Sequence, residues 1–294
     1  MKNIIKYSIY ALLSAFIMAA CSPQDGDDYK LGSEPLVSEL DFTVTPSSAT
    51  PNVLELKNTS SRSGVAVWDL GNFSTGKGNT IDGIYPFKGE YTITMTLYTT
   101  GGSTSISKNI TIANDNFTLL DTPMYNALTG GFENTEGKTW VFDQNNDGHF
   151  GVYPDDNSWS WNAAANEKAT SSLYTQEFTF SMSRETGLKL VWKNNGNIYT
   201  NDAGRKALAE QGYTNATHPA GDGDYDVEFI PKASYSFVIN EAAEVLILTE
   251  GSFLGHYTGA TSYNITDLTN DKLEVNCKSI VEPGNNWKYR FVPK

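Results

Sequence analysis

Tyr91-Thr92-Ile93-Thr94-Met95-Thr96-Leu97 alternates apolar and polar side chains without a break, the period-2 pattern of a strand that buries one face. Outward from it, residues 39–45, 53–57, 65–70 and 105–112 are further short runs rich in β-branched and aromatic residues, bounded by Gly, Asn, Ser or Pro. Five such strands between Leu36 and Ala113 predict a small β-sandwich over residues 37–114.

Trp68 lies in the 65–70 run, where Ala66 and Leu70 share its face, so it is expected in the core rather than as a platform for a ligand. Val67-Trp68-Asp69-Leu70-Gly71-Asn72, Tyr85-Pro86-Phe87-Lys88-Gly89-Glu90-Tyr91-Thr92-Ile93-Thr94-Met95, Gly101-Gly102-Ser103 and Lys108-Asn109-Ile110-Thr111-Ile112 together resemble a PKD domain, an Ig-like sandwich. The chain departs from the family pattern at Leu70 and at Asn72-Phe73, where Phe and Asp-Gly are usual. The resemblance implies a spacer role for 37–114.

The chain opens on Met1-Lys2-Asn3-Ile4-Ile5-Lys6 followed by an uncharged run to Ala20, which reads as a signal peptide over 1–20. That run is short for a membrane crossing, and acidic, Gly- and Pro-containing sequence follows at once. Met18-Ala19-Ala20-Cys21 resembles the lipobox of bacterial lipoproteins, which implies cleavage before Cys21 and lipid on its sulfur. Residues 21–36 are expected to be a flexible tether. The acidic residues Asp25, Asp27 and Asp28 resemble the signal for the outer cell surface, so the expected location is that of a surface-exposed outer-membrane lipoprotein. Only Cys21 and Cys277 occur. Lipid on Cys21 leaves Cys277 without a disulfide partner, and it is expected to be buried and inert.

A formal net charge of −13, made more acidic still by loss of Lys2 and Lys6, disfavours nucleic acid, anionic lipid head groups and sulfated or uronate-rich glycans as partners. Neutral or cationic partners remain. Aromatic residues make up 12% of the chain and charged residues only 19%, the balance of β-rich extracellular domains.

Residues 115–294 carry nine more strand signals, at 139–142, 177–182, 188–192, 225–230, 235–239, 245–248, 263–268, 272–276 and 287–292. One short helix is predicted over 203–211, with Asp202 as N-cap and Gly212 as its stop. A polar Asn270-Asp271 turn joins 262–268 to 272–277. The predicted fold class is therefore all-β: the small sandwich, then a larger antiparallel β-sandwich or barrel with one short helix.

Within this second unit, Gly137-Lys138-Thr139-Trp140-Val141-Phe142-Asp143, Gly148-His149-Phe150-Gly151-Val152, Trp159-Ser160-Trp161-Asn162-Ala163-Ala164-Ala165-Asn166-Glu167-Lys168-Ala169 and Trp287-Lys288-Tyr289-Arg290-Phe291-Val292-Pro293 resemble the C-terminal module of surface lipoproteins in polysaccharide-utilisation systems. The resemblance implies a cell-surface glycan-binding protein displayed beside a TonB-dependent importer and glycoside hydrolases. Lipocalin-like domains share a terminal strand pair like 263–294, which keeps a barrel-shaped carrier open as an alternative.

Sugar recognition needs exposed rings, on which the C–H face of a pyranose stacks while its hydroxyls reach polar neighbours. The densest candidate is 149–165, read as a loop because Tyr153, Trp159 and Trp161 stand among Pro, Asp, Asn, Ser and Gly. The candidate ligand-binding residues are Trp159, Trp161, Tyr153, His149, Asn162, Asn166 and Glu167, with Asp156 as a further polar partner; the competing reading folds Trp159 and Trp161 back onto the core. Trp140, Trp192 and Trp287 alternate with apolar neighbours and are assigned to the core.

Asp143-Gln144-Asn145-Asn146-Asp147-Gly148 matches the start of a calcium loop, but Pro154 stands where the bidentate Glu belongs, which excludes an EF-hand. A looser Ca2+ site at Asp143, Asn145 and Asp147 competes with a plain polar turn. Asp224, Asp226 and Glu228 alternate, so a strand puts all three on one face, for a ligand or for solvent. His149, His218 and His256 show no ligand spacing. No carboxylate pair stands in a family-like catalytic motif, and a binding protein is favoured over a glycoside hydrolase acting on the same glycan.

Overall fold

The computed structural model describes residues 31–218 and 223–294. The expected signal peptide, Cys21 and most of the tether fall outside them. Two separate hydrophobic cores are present.

The first core belongs to a two-sheet sandwich. β1 (Phe42–Pro46), β2 (Val53–Asn58) and β5 (Thr80–Ile84) form one sheet. β4 (Thr75–Lys77), β3 (Val65–Asp69), β6 (Gly89–Thr99) and β7 (Gly102–Ile112) form the other. The alternation read in 91–97 is the reason β6 lies as it does: Ile93, Met95 and Leu97 are fully buried. Thr92, Thr94 and Thr96 face outward and pair by hydroxyl hydrogen bonds with Asn109, Ser107 and Ser105 of β7. Trp68 is a core residue, set edge-on to Phe42 with ring centroids 5.2 Å apart, and its indole N–H donates to the Gly78 carbonyl.

The second core fills a sheet that runs in the order β12 (Gly187–Lys193), β11 (Glu177–Ser183), β8 (Lys138–Phe142), β20 (Asn285–Pro293), β19 (Leu273–Lys278), β18 (Ser262–Leu268), β17 (Val245–Leu248), β16 (Phe237–Asn240). The two ends of this antiparallel sheet meet where Leu190 and Tyr235 exchange backbone hydrogen bonds of 2.9 and 2.8 Å. The larger unit is thus a nearly closed barrel rather than an open sandwich. Its interior is occupied by its own rings, including Trp140, Phe142, Phe150, Phe178, Phe180, Tyr289 and Phe291, none more than 2% exposed.

Three local readings change. Residues 149–165 are not one loop: β9 (Phe150–Pro154) pairs with β20 beyond the end of β8 and carries β10 (Trp161–Asn162) on its other side. A second helix, α1 (Pro123–Thr129), joins the one expected, capped by the Thr122 hydroxyl and closed by Gly130 at φ 87°. The expected helix is α2 (Asp202–Glu210), but its N-cap is Asn201, whose side chain accepts from the Gly204 N–H. Asp202 sits in the first turn instead and pairs with Arg205 and Lys206. Around α2, β13 (Asn197–Asn201), β15 (Asp224–Glu228) and β14 (Ala216–Thr217) form a small sheet of their own. No helix among the described residues is long and apolar enough to cross a membrane.

Candidate functional site

The β9–β10 hairpin has two faces, fixed by register. Trp161 pairs with Val152 and Asn162 with Gly151. Cross-strand partners point the same way, so Trp161 joins buried Val152 on the core side while Asn162 looks outward. On that outer side Gly151 also pairs with Lys288 of β20, and Lys288 pairs with Asn276 of β19. A polar rung, Asn162, Gly151, Lys288, Asn276, therefore crosses the barrel wall.

Gly151 decides the shape of this rung. A Cβ there would stand 2.7 Å from the Trp161 carbonyl oxygen and 2.9 Å from both Asn162 Oδ1 and Lys288 Cε, closer than real contacts allow. Glycine in the middle of a strand marks a place where another group approaches the backbone. Here it lets Asn162 and Lys288 converge over the backbone and bury it. Beside it lies an open groove of about 470 Å3, lined by Asp147, Tyr153, Asn162, Glu274, Asn276 and Lys288 and also by Thr266 and Arg290. Tyr153 contributes a half-buried ring, and burial holds its hydroxyl pKa above the ordinary value. One strand pair further along, Asn286 donates to Asp155 at 2.9 Å and Lys278 lies 3.1 Å from the same carboxylate, which keeps Asp155 below the usual carboxylate range.

The remaining candidates divide clearly. Trp159, at the hairpin tip, is 49% exposed and available to a ligand. Trp161 is half-buried against Phe150, edge-on at 5.9 Å, with Lys168 Nζ 5.0 Å from its ring centroid. The competing core assignment therefore fits Trp161 in large part and does not fit Trp159. Asn166 and Glu167 are exposed, but they serve a turn: Asn166 holds φ 60° and Glu167 accepts from the Ala164 N–H. Asp156 likewise caps Ser158.

His149 is corrected to a structural residue, because it is wholly buried. The Asn146 carbonyl, 2.6 Å from Nδ1, can only accept, so Nδ1 carries the proton and Nε2 accepts from the Tyr174 hydroxyl at 2.7 Å. Burial holds its pKa below the usual histidine value, consistent with this neutral tautomer.

The calcium reading meets a similar obstacle. Asp143 is buried and already neutralised, its Oδ2 accepting from Arg290 Nε at 2.7 Å and its Oδ1 from Asn146. Asp147 caps the Ala165 N–H, and Asn145 points to the surface. Among the described residues no group of three or more His, Cys, Asp or Glu side chains is placed to hold a metal.

The carboxylate row of β15 does share one face, and each member is engaged. Asp224 accepts from Lys168 Nζ at 2.6 Å, Asp226 from the Ser172 N–H and hydroxyl, and Glu228 from Asn215. Lys168 and Asp224 form a pair that is largely withdrawn from water, with side-chain exposures of 13% and 17%. Deeper in, His256 is 1% exposed and its Nε2 has no hydrogen-bond partner among the described residues. Burial, with the nearby charge of Lys168, pushes its pKa down to about 3. Cys277 is buried, and burial raises its thiol pKa.

Reading residues 149–165 alone misses half the groove, since Glu274, Asn276, Lys288 and Arg290 come from the last two strands. The signal was available as the polar positions that alternate through 273–278 and 286–290.

No protein-family model and no curated protein sequence matches this chain. Among solved structures, the PKD1 domain of the metalloprotease PrtV from Vibrio cholerae is similar at 25% identity and a TM-score of 0.23, over 26% of this chain and 95% of that one. The PKD1 domain of Epp from Vibrio anguillarum is similar at 18% identity and a TM-score of 0.23, over 26% of this chain and 92% of that one.

Proposed function

We propose that this chain is a surface lipoprotein, anchored through Cys21, whose barrel unit captures a neutral polysaccharide or oligosaccharide for delivery to a nutrient importer of the TonB-dependent kind. The observation that carries the reading is the groove over Gly151. There a ring (Tyr153), two amides (Asn162 and Asn276) and an ammonium (Lys288) stand together over the buried Gly151, with the half-exposed Trp159 on the same hairpin. Such a combination offers a stacking face and several hydrogen-bonding groups to one sugar, without the cationic excess that a polyanion needs. The filled barrel interior counts against the alternative of a lipocalin-like carrier, since a carried molecule has to displace those rings. The sandwich over 37–114 serves in this reading as a PKD-like spacer that holds the barrel away from the membrane.

The test is retardation in native gels cast with neutral polysaccharides of plant, fungal and host origin. Wild-type protein is expected to be slowed by at least one of them. Trp159→Ala and Asn162→Ala, both exposed positions whose loss leaves the fold within about 0.5 kcal/mol of wild type, are each expected to weaken the retardation. No retardation on any polysaccharide refutes the proposal, and release of reducing ends during long incubation turns it toward a glycoside hydrolase.

A further inference from the structure

A second groove lies on the small sheet and shares no lining residue with the groove at Gly151. It is an open depression of about 600 Å3 lined by Asn195, Asn197, Asn215, Thr217, Asp226 and Glu228. It shares Thr214, Asn215 and Glu228 with an adjoining depression walled by Tyr213, Phe229 and Ile230. Tyr213 is 38% exposed and Ile230 78% exposed, so an apolar ledge runs beside a floor of amides and carboxylates.

The ledge is held rigidly. Tyr213 lies on Phe229 with centroids 5.1 Å apart, Phe229 stacks on Trp192 at 5.3 Å, and Trp192 stacks on Phe178 at 5.8 Å inside the barrel. The floor is equally fixed: Asn215 donates to Glu228 at 2.7 Å, Ser172 holds Asp226, and Thr175 donates to Asn195. A preorganised ring beside preorganised acceptors binds without first losing side-chain freedom. Among the described residues two carboxylates and no lysine or arginine line this floor, so it repels anions and offers acceptors to the hydroxyl donors of an uncharged sugar.

We infer that this groove is a second saccharide-binding subsite, taking an uncharged glycan segment with Tyr213 as its stacking ring. The inference rests on the glycan-binding reading above and deepens it. Two subsites on one rigid unit engage two segments of one polymer, and the second contact is then intramolecular, a gain of about 10²- to 10⁴-fold when the spacing allows both.

The experiment uses the full-length mature chain, with the polysaccharide that retards it and a hexasaccharide cut from that polymer. Calorimetry with the hexasaccharide is expected to give two sites in wild type. One is expected in Tyr213→Ala, and one in Thr217→Trp, which fills the groove from an exposed position without removing any core contact. Retardation by the polymer should weaken at least tenfold in both variants, with melting temperatures near wild type. A single site in wild type, or two sites persisting in both variants, overturns the inference while leaving the Gly151 groove standing. A wild-type protein that binds no glycan overturns both.

Discussion

Protonation of His256 should make the barrel lose stability as the pH falls, by an amount that can be worked out. Its ring is packed between Trp287 at 4.3 Å and Phe150 at 5.1 Å, Nδ1 meets the Tyr289 hydroxyl at 3.1 Å and Nε2 has no partner among the described residues, so an imidazolium there recovers little of its lost hydration. The folded pKa is about 3 and the ordinary value 6.5. Between these limits the unfolded chain binds a proton that the folded chain refuses. Stability is therefore complete above pH 6.5, declines as the pH falls through the window, and levels off below about pH 3. From pH 7.5 to 5 the linkage amounts to about 2 kcal/mol, or a drop of roughly 4–8 °C in melting temperature for a unit of this size. Five of the six tryptophans lie in residues 115–294, so fluorescence-detected melting follows the barrel. Burial also lowers the pKa of His149, which contributes a slope of the same sign. The comparison is therefore between wild type and His256→Phe, in which that contribution is common. The variant is expected to show only the small part of this pH-dependent loss that His149 contributes, whatever its stability at pH 7.5. Equal pH-dependent losses in the two proteins refute the reasoning.

Other outcomes follow from the same geometry. Gly151→Ala forces a Cβ against the Trp161 carbonyl and is expected to cost about 1–3 kcal/mol in chemical denaturation while abolishing glycan retardation. Lys168→Met leaves Asp224 without its cation and should destabilise by about 3 kcal/mol, whereas Lys168→Met combined with Asp224→Leu should recover most of the loss, as a double-mutant cycle will show. Arg290→Ala strands the buried Asp143 carboxylate and should cost about 3 kcal/mol. Calcium and a chelator, by contrast, are expected to leave the wild-type melting temperature unchanged, and a rise with calcium would restore the loop at Asp143 as a metal site.

The period-2 runs carried most of the fold, because a half-buried strand writes its two faces into alternate residues. Ile93, Met95 and Leu97 against Thr92, Thr94 and Thr96 are one instance, and Trp140, Trp192 and Trp287 lie in the core for the same reason. β9 was hidden by its own composition. Phe150-Gly151-Val152-Tyr153-Pro154 contains the two strongest chain punctuators, yet Pro154 sits at the strand's last position and Gly151 at the one place where no Cβ fits. Local sequence cannot show that fit, because the crowding atoms include the Lys288 stem, which register alone brings alongside. His149 misled in another way. A histidine in a polar stretch reads as exposed, and its burial depends on Tyr174 and the Asn146 carbonyl reaching both ring nitrogens. Sandwich and barrel differ only in whether the outermost strands meet, which a single pairing at Leu190 and Tyr235 decides.

β20 pairs with β19 along one edge and with both β8 and β9 along the other. Contacts such as Asn286 with Tyr153 span 133 residues. A growing polypeptide emerges at about 5–20 residues per second, so β9 waits on the order of ten seconds for the strand that completes its sheet. During that interval its bare edge, with Phe150 beside it, is open to wrong partners. The sandwich, complete by Ile112, can fold long before. The order of synthesis thus gives the two units different exposures to aggregation, and a chaperone that holds the unfinished chain has its work concentrated on the second.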